Sequence, residues 1–157
     1  MTGWRVGYIA APVFIAKACE KIQGQFTSGI TSIAQRAALA AITEDLTPTY
    51  EMAKAYASRK DLVLGLLREI PGLKTNEPEG AFYFFPDVSA YFGKSDGDRV
   101  INNADDLCLY ILEKAHVSLV TGGAFGAPNC IRLSYAASEE NLKEALARIK
   151  ATLAKLK

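Results

Sequence analysis

The apolar residues of this chain repeat at two different periods, and the points where the period changes set the order of its secondary structure. Leu62, Leu66 and Ile70 recur every four residues and predict a long helix, with Thr47 and Pro48 as its cap and first-turn pair. "PGLKTNEPEG" ends it. Ala81 to Phe85 then reads as an aromatic strand, "FGKSDGDR" as an exposed loop, and Asp105 to Ala115 as a helix with Leu107, Tyr110, Ile111 and Leu112 apolar. Val117 to Val120 and Cys130 to Tyr135 read as strands separated by "TGGAFGAPN". The last helix starts at Ser138, carries Glu139 and Glu140 in its first turn, where the helix dipole favours anions, and repeats Leu142, Leu146, Ile149 and Leu153.

Ahead of these elements, "MTGWRVGY" alternates Trp4, Val6 and Tyr8 with Arg5, Gly7 and Ile9 and reads as a short strand. A helix from Pro12 to about Gln23, a loop from Gly24 to Gly29, and a helix from Ile30 to Ile42 with Ile33, Ala37 and Leu39 to Ala41 on one face follow. Helices and strands alternate throughout, which places the chain in the α/β or α+β class.

The charge balance is nearly even, 18 Lys and Arg against 17 Asp and Glu, so no strong field directs the chain to nucleic acid or to an anionic membrane. Small neutral or zwitterionic partners fit better. Cys19, Cys108 and Cys130 are widely spaced, and His116 is the only histidine, which argues against a disulfide framework and against a metal site. The longest apolar run, Val6 to Ala16, contains Pro12 and falls short of the ~20 residues a membrane span needs. No signal peptide is visible, and a reducing, cytoplasmic setting is the expectation.

The residue that asks most of its surroundings is Arg132, in "NCIRLSYAA". In a strand, Ile131, Leu133 and Tyr135 share one face, and Cys130, Arg132 and Ser134 the other. An arginine in a strand flanked by helices needs a partner, because an unpaired buried charge costs several kcal/mol. An ion pair with a carboxylate, or a strand end where the guanidinium reaches water, meets that need. So does a ligand: the preceding loop holds Gly122, Gly123 and Gly126, which let backbone approach a small molecule, and the guanidinium fork suits a carboxylate. Arg5 carries the same ambiguity between a surface cation and a ligand contact.

Taken together, "MTGWRVGY", "GAFYFFPDVS" at Gly80 to Ser89 and "FGAPNCIRLSYAAS" at Phe125 to Ser138 resemble the class I pyridoxal-phosphate aminotransferases, in particular their bacterial aspartate aminotransferase branch. The resemblance covers nearly the whole chain in the family's order. Of the family's signature S-K-x-x-x-M-x-G-x-R-x-G, Met1, Gly3, Arg5 and Gly7 are present, which implies that the Schiff-base lysine lies four residues before Met1. The chain thus resembles the C-terminal part of a longer enzyme, beginning just after that lysine. The implied fold is the C-terminal part of the type I pyridoxal-phosphate transferase fold, α/β with an α+β small domain and a mixed sheet flanked by helices. Residues 1–45 would be a remnant of the large cofactor-binding domain and residues 46–157 the small domain.

The resemblance also implies roles. Arg5 corresponds to the arginine that binds the phosphate of pyridoxal 5'-phosphate, and Arg132 to the one that clamps the substrate's α-carboxylate. Phe82 stands where the family brings an aromatic ring toward the substrate. Thr27, with Ser28, matches the segment that approaches the cofactor of the neighbouring subunit, implying a homodimer with shared sites. No residue of the chain takes the catalytic role, and none binds metal. The expected reaction transfers the amino group of aspartate or a related amino acid to 2-oxoglutarate, the isolated chain being inactive. An aromatic or alanine-type aminotransferase, a lyase, and an aminotransferase-like effector domain of a transcription regulator are the alternatives. Gln23 to Thr27 holds no arginine, where one branch of the family reads the distal acid of a dicarboxylate. Thr121 replaces a frequent proline.

Overall fold

In the computed structural model, which describes residues 1–157, the chain divides into two units, Met1–Glu51 and Met52–Lys157. The first holds a 3-10 turn at Thr2–Trp4 and two helices, α1 (Val13–Phe26) and α2 (Ser32–Thr43). Pro12 is the N-cap of α1 and not its first residue. The helix runs through Gly24 to Phe26, so the expected loop starts three residues later, at Thr27. The Thr31 hydroxyl caps α2 by accepting from the Ala34 amide.

The strand expected at Trp4 to Ile9 does not form; residues 5–12 have no regular structure. Alternation alone does not make a strand, because its amides and carbonyls need a neighbouring strand to bond. This unit contains none. Ile33, expected on the inner face of α2, is exposed, and Ala34 is the only buried residue before Glu51.

Helix α3 (Thr47–Arg68) leads into the second unit. Its cap is Asp45, whose Oδ1 accepts from the Thr47 amide and hydroxyl, so Thr47 is capped and does not cap. The face that α3 buries is Val63, Leu64 and Leu67, with Ile70 beyond its end, while Leu62 and Leu66 flank it half-buried. Then come β1 (Tyr83–Phe84), a hairpin of β2 (Ser95–Asp96) and β3 (Arg99–Val100), α4 (Ala104–Ala115), β4 (Val120–Thr121), β5 (Ile131–Ser134) and α5 (Glu139–Leu153). Strand β5 lies between β1 and β4 and is antiparallel to both, Tyr83 facing Ser134 and Val120 facing Arg132.

Caps and periodicity make the two later helices. Asn103 caps α4 and Ser138 caps α5, each side chain accepting from the amide three residues on. Leu142, Leu146, Ile149 and Leu153 are all buried, as their spacing requires. They join Leu107, Tyr110 and Ile111 of α4, Phe84, Val88, Ile101, and Ile131, Leu133 and Tyr135 in one core. Leu112 of α4 is instead exposed. No helix is long and apolar enough to cross a membrane.

Candidate functional site

Alternation along β5 separates its two faces as period two demands. Ile131, Leu133 and Tyr135 are buried in the core, and Arg132 stands half-buried on the opposite face. Its guanidinium carbon lies 4.6 Å from the centroid of the Tyr83 ring and 4.8 Å from that of Phe125. No Asp or Glu of the chain forms an ion pair with it, and its side chain donates no hydrogen bond within the chain. The structural ion pair that would have explained Arg132 without a ligand is therefore absent, and π faces hold it instead.

Of the three glycines in this stretch, Gly122 has a structural use that composition does not suggest. Gly122 is buried against its own loop: a Cβ there would come within 2.6 Å of the Cys130 carbonyl oxygen and closer still to that of Ala127. The Gly122 amide bonds the Cys130 carbonyl, and the Ala127 amide bonds Gly122 in turn. This closure leads into a 3-10 turn over Gly123–Phe125 that carries Phe125 to Arg132. Gly126, at φ 76°, ends the turn in the left-handed region. Phe85 meets Phe125 edge-on, centroids 6.1 Å apart at 88°.

Phe82 does not touch Arg132's face of the sheet. Together with Tyr56, Lys60, Ala81 and Tyr135 it lines a separate cavity of about 470 Å³. The two places are linked through Tyr83, whose ring lies 4.4 Å from that of Phe82. Ala81 holds φ 59°, and its carbonyl accepts from the Tyr135 hydroxyl at 2.9 Å, which anchors the segment leading into Phe82. Burial pushes the Tyr135 hydroxyl's pKa up. Asp87, at the other end of this segment, is held below the usual carboxylate range by the hydroxyl and amide of Ser89.

In the first unit Arg5 and Ser28 line one cavity of about 730 Å³, along with Gly7, Tyr8 and Cys19. Arg5 has φ 53° and donates to the Thr2 carbonyl at 3.2 Å; no carboxylate pairs with it, although Glu20 lies on the same cavity. Ser28 has φ 59° and is exposed. Thr27 does not line the cavity, and its hydroxyl is bonded by the Gln23 side chain. A cation and a hydroxyl on one cavity suit the phosphate end of pyridoxal phosphate in donor chemistry.

Tyr83 and Phe125 are the residues that sequence reasoning missed. Their only signal was position: Tyr83 shares Arg132's face of the sheet by register, and Phe125 sits in the loop before β5.

Residues 1–149 match the family described as aminotransferase class I and II. The chain is 50% identical over 163 residues to the bifunctional aspartate aminotransferase and glutamate/aspartate-prephenate aminotransferase of Petunia hybrida, an alignment covering 100% of this chain and 34% of that protein. It is 46% identical to an aspartate aminotransferase of Pinus pinaster, covering 98% and 32%. The crystal structure of the aspartate aminotransferase from Rhizobium meliloti superposes with a TM-score of 0.87 at 42% identity, over 100% of this chain and 40% of that one. The chain spans about a third of the length of the curated relatives it matches.

Proposed function

Because the chain belongs to the class I and II aminotransferases, a pyridoxal-phosphate-dependent family, we propose that the protein it forms part of transfers the amino group of aspartate or a related amino acid to 2-oxoglutarate. The observation that carries this reading is Arg132: a guanidinium held without any carboxylate of its own chain, its donors available to a carboxylate from outside.

The chain's part in the reaction is binding and orientation. Arg132 receives the substrate's α-carboxylate through its planar fork and so fixes the direction in which the amino group points. Arg5, with Ser28 beside it on one cavity, holds the cofactor phosphate. When bound, pyridoxal phosphate supplies the electron sink that stabilises negative charge on the substrate carbon. Phe82 enters this reading as the aromatic ring that backs Tyr83, the neighbour of Arg132. Residues 1–45 belong in this reading to the large cofactor-binding domain and residues 46–157 to the small domain. The bare apolar side chains of the first unit, Phe14 at 75% and Phe26 at 84% exposure among them, suit burial in a larger assembly, and the homodimer with Thr27 and Ser28 near the neighbouring subunit's cofactor is part of the proposal. Its setting is the cytoplasm.

The test is Arg132→Ala in the full-length protein, assayed by 2-oxoglutarate-dependent consumption of aspartate. Loss of a charge-assisted carboxylate contact costs roughly 2 to 5 kcal/mol, on the order of 30- to 5,000-fold in kcat/KM. Arg132→Lys restores little, because an ammonium has no fork. A loss below about threefold for every amino acid tried makes Arg132 a structural residue and overturns the reading.

A further inference from the structure

A guanidinium on a strand can be held in place by a carboxylate or by aromatic faces, and the two choices leave different chemistry behind. A carboxylate partner uses two of the five N–H donors and cancels the charge. Aromatic rings attract the cation through their π faces and leave the donors in the guanidinium plane free. The chain uses rings for Arg132. They come from the two sides of β5: Tyr83 from β1, and Phe125 from the turn that follows β4. Each ring is braced by another, Tyr83 by Phe82 and Phe125 by Phe85. Phe125 itself is 52% exposed and outside the core, so packing within this chain does not account for its place.

We propose that Tyr83 and Phe125 form an aromatic clamp that sets the orientation of the Arg132 guanidinium, making them positioning residues for carboxylate recognition. The proposal rests on the reading of Arg132 as the substrate's carboxylate receptor. A bidentate contact needs the fork coplanar with the incoming carboxylate. A long arginine side chain free to turn would lose rotamer entropy each time substrate bound, and the clamp removes that cost in advance. Phe82 is then connected to recognition as the ring that backs Tyr83.

The experiment is a double-mutant cycle in the full-length protein with its cofactor, reading KM and kcat for aspartate and 2-oxoglutarate. Phe125→Leu should raise KM about 3- to 30-fold, the span expected for losing one cation–π contact, with a smaller change in kcat. Phe125→Tyr should restore KM, since it returns the ring. Combining Phe125→Leu with Arg132→Lys should cost no more than Arg132→Lys alone, because the ring acts only through the guanidinium. Should Phe125→Leu not fold, Tyr83→Leu against Tyr83→Phe makes the same comparison. If Arg132→Lys is costly while Phe125→Leu is silent, or the two add fully, the clamp is overturned and the receptor reading stands. If Arg132→Lys is itself silent, the receptor reading fails and the clamp falls with it.

Discussion

Tyr110 of α4 has no exposed surface, and its hydroxyl donates to Asp96 Oδ2 at 2.9 Å. Burial and the Asp96 carboxylate push its pKa up to about 12, above the ~10 of a free tyrosine. The folded chain therefore favours the neutral phenol. The stability this contributes is complete below about pH 10 and is lost as pH rises toward the folded value. The urea midpoint of the chain should fall over that interval, and Tyr110→Phe should flatten the fall while losing about 1 kcal/mol at neutral pH with the hydrogen bond. Tyr91 and Tyr135, also pushed up by burial, keep part of the limb in the variant. An alkaline limb of unchanged slope in Tyr110→Phe would show that this hydroxyl does not carry it. Arg132 could be singled out in the sequence because a charge in an apolar strand needs a reason. The proposed clamp could not: Tyr83 lies far from it along the chain, Phe125 sits in the loop just before its strand, and aromatic residues at both places fit a core equally well.

The turn from Gly122 to Gly126 shows how an element supports a side chain. A methyl group at Gly122 collides with two carbonyls of the same loop, whereas one at Gly123 has Thr121 Oγ1 as its nearest neighbour, at 3.8 Å. Gly122→Ala should cost about 1 to 3 kcal/mol by overpacking and displace Phe125, lowering kcat/KM in the full-length protein, while Gly123→Ala stays near neutral in stability. Equal effects in urea unfolding would mean that the loop relaxes freely. Composition predicted close ligand approach for these glycines; at Gly122 the close approach is the loop to itself. Helices α4 and α5 were legible because their caps and apolar spacing are local. The opening residues alternate like a strand and do not form one, because alternation is local and the requirement of a bonded neighbour is not. Strands β1 and β4 are shorter than, or shifted from, their apolar runs for the same reason, since pairing with β5 decides where they stop.

Across the whole molecule burial is unevenly shared. Twenty-one of the buried apolar residues form one core within Met52–Lys157, and Met1–Glu51 adds only Ala34. Amide hydrogen exchange on the isolated chain should find α1 and α2 exchanging far faster than α4 and α5, because few buried contacts oppose their opening. Equal protection would show that the first unit is stable as it stands. Pyridoxal phosphate added to this chain should raise Tm little, since stabilisation follows ligand concentration over Kd and the proposed phosphate contacts in this chain are few, Arg5 and Ser28. With 18 basic and 17 acidic residues this chain by itself adds almost no long-range attraction for anions. The pull of Arg132 is confined to the width of its fork, uncancelled by any fixed counter-ion. If the fork receives a carboxylate as proposed, added salt would act there less by screening than by competition, a chloride settled in the fork taking the carboxylate's place.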